Sequence, residues 1–329
     1  MNLQGKWLEA VPNFSEGKNE DIIWALKDAI SSVKGVLILH IDMSADANRT
    51  VITFAGPAEL VLEASFLLIQ KATTLIDMRL QKGIHPRQGA VDVFPLIPMG
   101  STTMEEAIDY AQKLGEKIGN ELHIPVYLYE KSATETHRTR LEQIRKGEYE
   151  GFKEKIKLPA WKPNFGAAIF NEKSGNIVLG ARNFLLAYNV NLQTNDVSIA
   201  KEIASIVRES GSNGKAGLLK NVKAIGWWVN HFGLCQVSTN ITNFNETPIH
   251  LVFETIKTEA KKMGIATKGS ELIGLIPQKA LEEAAIFYGG EKADLDIAIN
   301  KLGLLETDDF NVETRVLEKI IEKKLNFGI

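Results

Sequence analysis

The sequence predicts an α/β (α+β) chain of two subdomains, each built on a mixed β-sheet with helices mainly on one face. Two observations carry this. An alternation of strand-like and helix-like segments is written out twice in the same order. The two copies are separated by a charged, proline-marked stretch that carries neither pattern. The expected division is 1–180 for the first subdomain and 181–329 for the second, with a linker at about 158–164.

Each element rests on its own signal. Trp7 to Val11 is a short apolar run ended by Pro12, a strand entering a loop. From Lys18 to Ser32, Ile22, Ile23, Leu26, Ala29 and Ile30 fall at helical spacing, and Gly35 closes the segment. Val36–Ile41 and Thr50–Ala55 read as buried strands. Pro57 suits a first helical turn, and an apolar-rich helix follows to about Asp77. Residues 78–92 form a loop before the strand VFPLIP; a helix spans Thr102–Leu122, and Val126–Tyr129 is a strand. After the charged stretch the plan returns. Phe184–Asn191 is a strand and Asp196–Arg208 a helix. Val222–Val229 and Leu234–Ile241 form a strand pair, Pro248–Met263 a helix, and Glu271–Ile276 a strand. From Pro277 onward the chain is helical and charged, with an amphipathic helix over Val312–Lys324. The order β-α-β-β-α-β in each half is the split βαβ, ferredoxin-like pattern. A protein of two such halves commonly holds its ligand between them.

Composition narrows the function. The 329 residues are 44% hydrophobic and 24% charged, ordinary globular values. A net charge of −3 lacks the basic excess of a nucleic-acid binder. The single cysteine, Cys235, excludes an internal disulfide and any CxxC metal site. No apolar run reaches the length of a membrane span, and the first residues lack the three-part plan of a signal peptide. The expectation is a cytoplasmic protein with no nucleic-acid or membrane partner.

Four stretches gather chemistry. Lys82-Gly83-Ile84-His85-Pro86-Arg87-Gln88-Gly89-Ala90-Val91-Asp92 places an imidazole, a guanidinium and a carboxylate between glycines and beside a proline that stiffens the backbone. A tight turn with a surface histidine is the plainer reading. Asp42 to Thr50 collects two carboxylates, an amide and Arg49 between two strands; from the residues alone a solvated hairpin turn is the stronger account. In Val11 to Lys18, Asn13 and Ser15 suit a ligand, and Ser15 suits an N-cap equally. Past the linker, Phe165 beside glycine suits an aromatic ring and Arg182 a carboxylate, with a glycine-rich hairpin as the alternative. Phosphate-loop, nucleophile-elbow and H-E-x-x-H signatures are absent. His137 and His231 read as surface residues and Trp227–Trp228 as packing.

Taken together, these stretches resemble the formiminotransferase family. The matching pieces are VPNFSEG at 11–17, ANRT at 47–50, HPRQGAVDVFPLIP at 85–98, VYLYE at 126–130, RKGEYE at 145–150, NFG at 164–166, the segment 180–192, QVSTN at 236–240, GSELIGLIP at 269–277 and KALEEAAIFY at 279–288. The resemblance runs from Leu8 to Tyr288. It implies two α/β subdomains with a substrate tunnel between them, acting as a homodimer. It implies transfer of a formimino group from N-formimino-L-glutamate to tetrahydrofolate, giving 5-formiminotetrahydrofolate and L-glutamate, in histidine degradation. It implies a catalytic His85 assisted by Asp42. The folate-binding stretch becomes Phe165, Gly166, Ala167, Ala168, Ile169, Phe170, Asn171, Glu172, Lys173, Ser174 and Gly175, which departs from the animal sequences between Ala167 and Ser174. About forty residues follow Tyr288, too few for the helical cyclodeaminase domain of the animal proteins, so a stand-alone transferase and a separate cyclodeaminase are expected.

The residues suit that chemistry. An attacking N5 must lose a proton and the departing glutamate nitrogen must gain one, and histidine titrates in the range where one group does both. Asp42 suits the cationic amidinium. Asn13, Arg49, Arg87 and Arg182 are the substrate-binding candidates, the three arginines for the carboxylates. Tetrahydrofolate is a co-substrate, and the reaction requires no metal or nucleotide. Formyl transfer between 5-formyltetrahydrofolate and glutamate, or folate binding without catalysis, are the alternatives.

Overall fold

The computed structural model describes residues 3–327 apart from Asp46, Ile84, His85, Thr307 and Asp308. The chain divides into two compact units after Arg182.

The first unit begins with β1 (Lys6–Ala10) and β2 (Asn13–Phe14), successive pieces of one path interrupted at Pro12. Helix α1 (Glu20–Ser31) follows, its first turn capped by Asn19, whose Oδ1 accepts from the amides of Asp21 and Ile22. Then come β3 (Leu37–Ser44), β4 (Arg49–Pro57), α2 (Ala58–Leu75), β5 (Val91–Gly100) and α3 (Met104–Lys117). Thr103 and Glu106 close a capping box at the start of α3. Strand β6 (Val126–Leu128), helices α4 (Leu141–Arg145) and α5 (Glu148–Lys155), and β7 (Ile177–Ala181) complete the unit.

In the sheet β3 pairs with β4, β1 and β2 both lie between β4 and β5, and all these neighbours are antiparallel. Strand β7 then joins β5 in parallel and β6 joins β7 in parallel. Helices α1 to α3 bury their apolar sides on one face, Leu26, Ile30, Leu68 and Leu114 meeting Ile52, Phe54 and Phe94. On the opposite face α4 and α5 cover only the β5-β7-β6 end, where Tyr127, Val178, Ile144, Phe152 and Ile156 form a second cluster.

The second unit runs β8 (Leu186–Leu192), α6 (Val197–Val207), β9 (Val222–Val229), β10 (Leu234–Ile241), α7 (Ile249–Lys262) and β11 (Thr267–Ile273). Its strands stand in the order β11-β8-β10-β9, all antiparallel. By position in the repeat this is 4-1-3-2, the order β5-β1-β4-β3 of the first unit. Leu186, Tyr188, Val190 and Leu192 alternate into a core shared with Ala200, Ile203, Val252 and Ile256. Helices α8 (Gln278–Phe287), α9 (Leu295–Lys301), α10 (Val312–Arg315) and α11 (Leu317–Phe327) follow. Among the described residues no helix is long and apolar enough to cross a membrane.

The two βαββαβ plans are as the sequence predicts, but only the first sheet is mixed; the second, expected to be mixed as well, is wholly antiparallel. Three further details differ. The segment 158–164 is no free linker: Asn164 N donates to Val126 O at 2.8 Å and its side chain accepts from Leu128 N at 2.9 Å, fastening the segment to β6. Ile177–Ala181, expected as part of a glycine-rich hairpin, is a buried parallel strand. A five-residue strand buried on both faces shows no alternation to detect. Strand β11 starts at Thr267 rather than Glu271, with a register shift between Thr267 and Ser270.

Candidate functional site

His85 lies outside the described residues, but the segments flanking it are tightly tied. Before it, Asn48 and Glu16 stitch three of the sequence stretches into one knot. Asn48, at φ +48°, takes Gly17 N on Oδ1 at 3.0 Å and donates to Gln81 Oε1 at 2.5 Å and Lys82 O at 2.8 Å. Gln81 Nε2 donates to Glu16 Oε2 at 2.7 Å, while Glu16 Oε1 accepts the amides of Lys18 and Asn19. A polar cavity of about 660 Å³ opens beside this knot, lined in part by Glu16, Lys18, Asn48, Gln81 and Lys82.

Beyond the histidine, a further set of ties holds the chain. Arg87 donates from Nη2 to Gln81 O at 2.8 Å and to Glu150 Oε1 at 2.8 Å, and Tyr149 N donates to Arg87 O at 2.8 Å. Gln88 N donates to Asp92 Oδ1 at 3.1 Å. Ser15 Oγ donates to Gly89 O at 2.7 Å. Gly89 bridges Gly175 in antiparallel fashion, and Ala90 N donates to Ser174 O at 2.8 Å, so the histidine loop and the end of the 165–175 stretch share one seam. The backbones are so close there that a Cβ on Gly89 would stand 2.0 Å from Asn176 O.

Asp42, Arg49 and Asn13 lie on one face of the sheet. Their neighbours Ile41, Met43, Ile52 and Phe14 turn into the helix-covered core, so period-two alternation sends them to the other side. In register Asp42 stands opposite Val51, as does Asn13, and Arg49 is opposite Ser44. Burial, and next the Arg145 charge, pull the Arg49 guanidinium down to about 10, against the opposing pull of Asp92 and Asp42. Arg145, the last residue of α4, pairs with buried Asp92. The phenol of Tyr129 is pushed up to about 12 by burial, with Arg182 and Arg145 working against the shift. Arg49, Arg145 and Arg182 therefore share one region with Asp42, Asp92 and Tyr129.

Arg145 in turn depends on Lys155. That ammonium donates to the carbonyls of Gln143, Ile144 and Lys146 at 3.0, 2.6 and 3.0 Å, the acceptors left over at the end of a five-residue helix. It also sits 3.8 Å over the Trp161 ring. Burial, and then Lys146, pull it down to about 8.

The 165–175 stretch is anchored at both ends and open between. Phe165 packs against the main core, and Phe170 lies against Tyr149 and Phe152. Gly166 to Ile169 are exposed, Ile169 by 71%. Asn171 Oδ1 accepts Ser174 N, and Lys173 O accepts Met78 N, which fixes the return to β7. At the seam the side-chain amides of Gln88 and Asn176 are buried without hydrogen-bond partners among the described residues.

The structure thus gathers Asn13, Asp42, Arg49 and the flanks of His85, and engages Arg87 with carboxylates of its own unit. Sequence reasoning noted the Asp92 carboxylate and the Asn48 amide only as members of their stretches, and missed Glu16, Gln81, Tyr129 and Arg145 as site-builders. All but Gln81 stand within the stretches that carried the resemblance, yet Arg145 read as one charge among many in a region with no periodicity. Among the described residues no group of three His, Cys, Asp or Glu is placed to hold a metal ion.

Comparison with known proteins places this geometry. Residues 7–182 match the family model described as formiminotransferase domain, N-terminal subdomain, and residues 187–322 match the formiminotransferase domain model. Similar proteins include a glutamate formimidoyltransferase of Thermoplasma acidophilum, 39% identical over 97% of this chain and 98% of that one, and one of Streptococcus pyogenes, 39% identical over 95% and 98%. The formimidoyltransferase-cyclodeaminase of Dictyostelium discoideum is 40% identical over 97% of this chain, which spans 61% of its length. Carrying both subdomain matches and full-length similarity at this level, the chain belongs to the formiminotransferase family.

Proposed function

We propose that this protein transfers the formimino group of N-formimino-L-glutamate to N5 of tetrahydrofolate, releasing L-glutamate, as a step of histidine degradation. The observation that carries the reading is the convergence of the stretches 13–18, 42–50 and 81–92 on the histidine loop, held through Glu16, Asn48 and the Arg145–Asp92 pair. Full-length similarity to two glutamate formimidoyltransferases supports it.

In this reading N5 attacks the amidinium carbon, a tetrahedral intermediate forms, and the bond from that carbon to the glutamate nitrogen breaks. His85 takes the proton from N5 and returns it to the leaving nitrogen. Asp42, on the sheet face beside Arg49, holds the cationic amidinium. Arg49, Arg145 and Arg182 supply the positive field that two substrate carboxylates need. Arg87, engaged with Glu150 and Gln81 O, serves as a tie for the loop. The exposed run Gly166–Ile169 offers a surface for the folate. The family reading also carries homodimeric assembly and a cytoplasmic setting.

The test mixes the purified protein with formiminoglutamate and tetrahydrofolate and follows the folate spectrum. Turnover by the wild type and a loss of about 10²–10⁴-fold in His85→Ala, with folate affinity unchanged, is the expected result. Absence of transfer by the wild type, or a wild-type rate in His85→Ala, defeats it. Light scattering reads the dimer.

A further inference from the structure

Arg87 and Gln88, which follow the histidine closely, are each gripped by a different short helix. Helix α5 takes Arg87: Tyr149 N donates to its carbonyl at 2.8 Å, and Glu150 Oε1 accepts from its Nη2 at 2.8 Å. Helix α4 takes Gln88 at one remove. Arg145 pairs with Asp92, and Asp92 Oδ1 accepts from Gln88 N at 3.1 Å. The backbone beside His85 is therefore set by how α4 stands against α5.

Neither helix fixes that arrangement alone. With five residues, α4 leaves most of its carbonyls without an acceptor's partner inside the helix. The turn into α5 passes through Gly147 at φ +93° and Glu148 at φ +51°, and a glutamate is held in the left-handed region by its surroundings, not by preference. Ile144, Phe152 and Ile156 share one apolar cluster, but such packing is non-directional. Lys155, the last residue of α5, supplies direction. Its ammonium reaches back to the carbonyls of Gln143, Ile144 and Lys146, which bracket Arg145 in the chain, and all three of its hydrogens have an acceptor. The Trp161 ring backs it at 3.8 Å, and Trp161 O in turn accepts from Tyr127 Oη of β6 at 2.5 Å. One ammonium thus joins α4, α5 and the sheet. Burial opposes its charge, a cost that an apolar side chain at this position would avoid.

We propose that Lys155 is a positioning residue for the reaction: by fixing α4 against α5 it holds Arg145 on Asp92, and through that pair the backbone beside His85. It acts on the site only through Arg145 and Asp92. The consequence for turnover rests on the transferase reading; the consequence for the Gln88 amide does not.

The test introduces Lys155→Met into the full-length protein. Amide hydrogen exchange is followed by mass spectrometry of overlapping peptides, and kcat for formimino transfer is measured beside it. Exchange at the Gln88 amide should speed up by about ten-fold or more, while the amides of α1 and α2 keep their wild-type rates. Where the variant is fully folded, kcat should fall by about 10- to 100-fold, the range that a small misplacement produces from outside the reacting groups. Lys155→Arg keeps the charge, the donors and the seat on Trp161, and should recover most of both. Wild-type exchange at Gln88 in Lys155→Met overturns the proposal, and so does a speed-up spread equally over α1 and α2. An unchanged kcat overturns it too, as does a Lys155→Arg protein as impaired as Lys155→Met. If Lys155→Met does not fold, Lys155→Gln, which keeps an amide donor, decides by the same exchange at Gln88. A wild-type protein that transfers nothing defeats the transferase reading instead, and the exchange rates then judge the positioning role by themselves.

Discussion

Asp92 shows how much one buried side chain decides. One oxygen receives the backbone amide of Gln88 and the other pairs with Arg145, so a single carboxylate links the histidine loop to α4. With 2% of its surface exposed, it has no water to fall back on. Replacing it with asparagine leaves Arg145 facing Arg49 with less neutralising charge. Removing one partner of a buried pair costs about 3–5 kcal/mol. Asp92→Asn should therefore lower unfolding free energy by roughly that amount in urea titrations, and turnover should fall even at temperatures where the variant is fully folded. A variant with unaltered stability would show that the pair carries no weight. The sequence supplied the carboxylate but not its partner, because Arg145 comes 53 residues later in a stretch without periodicity. Long-range pairing of this kind leaves no spacing signal, whereas the His-Pro-Arg and Val-Pro-Asn stretches are local and were legible at once.

At the scale of elements, α4 and α5 are what sequence reasoning left blank. Five and eight residues are too few for a stable isolated helix, so no apolar stripe develops, and tertiary contacts hold both. Lys155 provides one of them, and its titration gives a signed prediction. Its folded-state value of about 8 lies below the ordinary 10.5, so between these values the unfolded chain binds more protons than the folded one. Stability contributed by this group therefore rises with pH across about 8 to 10.5. Lys155→Met removes the titration, and the urea midpoint of the wild type should gain on that of the variant between pH 7.5 and pH 9.5. A gap that narrows as pH rises would contradict the assignment. The seam between Gly89 and Gly175 makes a second prediction at this scale. Gly89→Ala drives a methyl group into Asn176 O, and overpacking of this kind costs about 1–3 kcal/mol or more. Activity should fall with it, because the same seam fixes the flank of His85. A crystal structure of Gly89→Ala with the 174–176 backbone unmoved would contradict this. The longer elements were legible because each repeats its apolar residues over several turns or pleats, as Leu186, Tyr188, Val190 and Leu192 do in β8.

Over the whole molecule, strand order rather than proline content sets where the chain can be cut. Pro159 and Pro163 suggested a joint at about 158–164, yet the chain returns after them to lay β7 between β5 and β6. Without β7 the strand β6 has no partner in the sheet, and the cluster of Tyr127, Val178, Ile144, Phe152 and Ile156 loses its centre. A fragment of residues 1–158 should accordingly fail to unfold cooperatively, with a broad, shallow thermal transition by circular dichroism. A fragment of residues 1–182 retains both clusters of its unit, and residues 183–329 retain theirs. Each is within the size at which a domain sustains its own core, so each should melt in a single sharp transition. A cooperative transition in 1–158 would mean that β7 is dispensable to the first sheet.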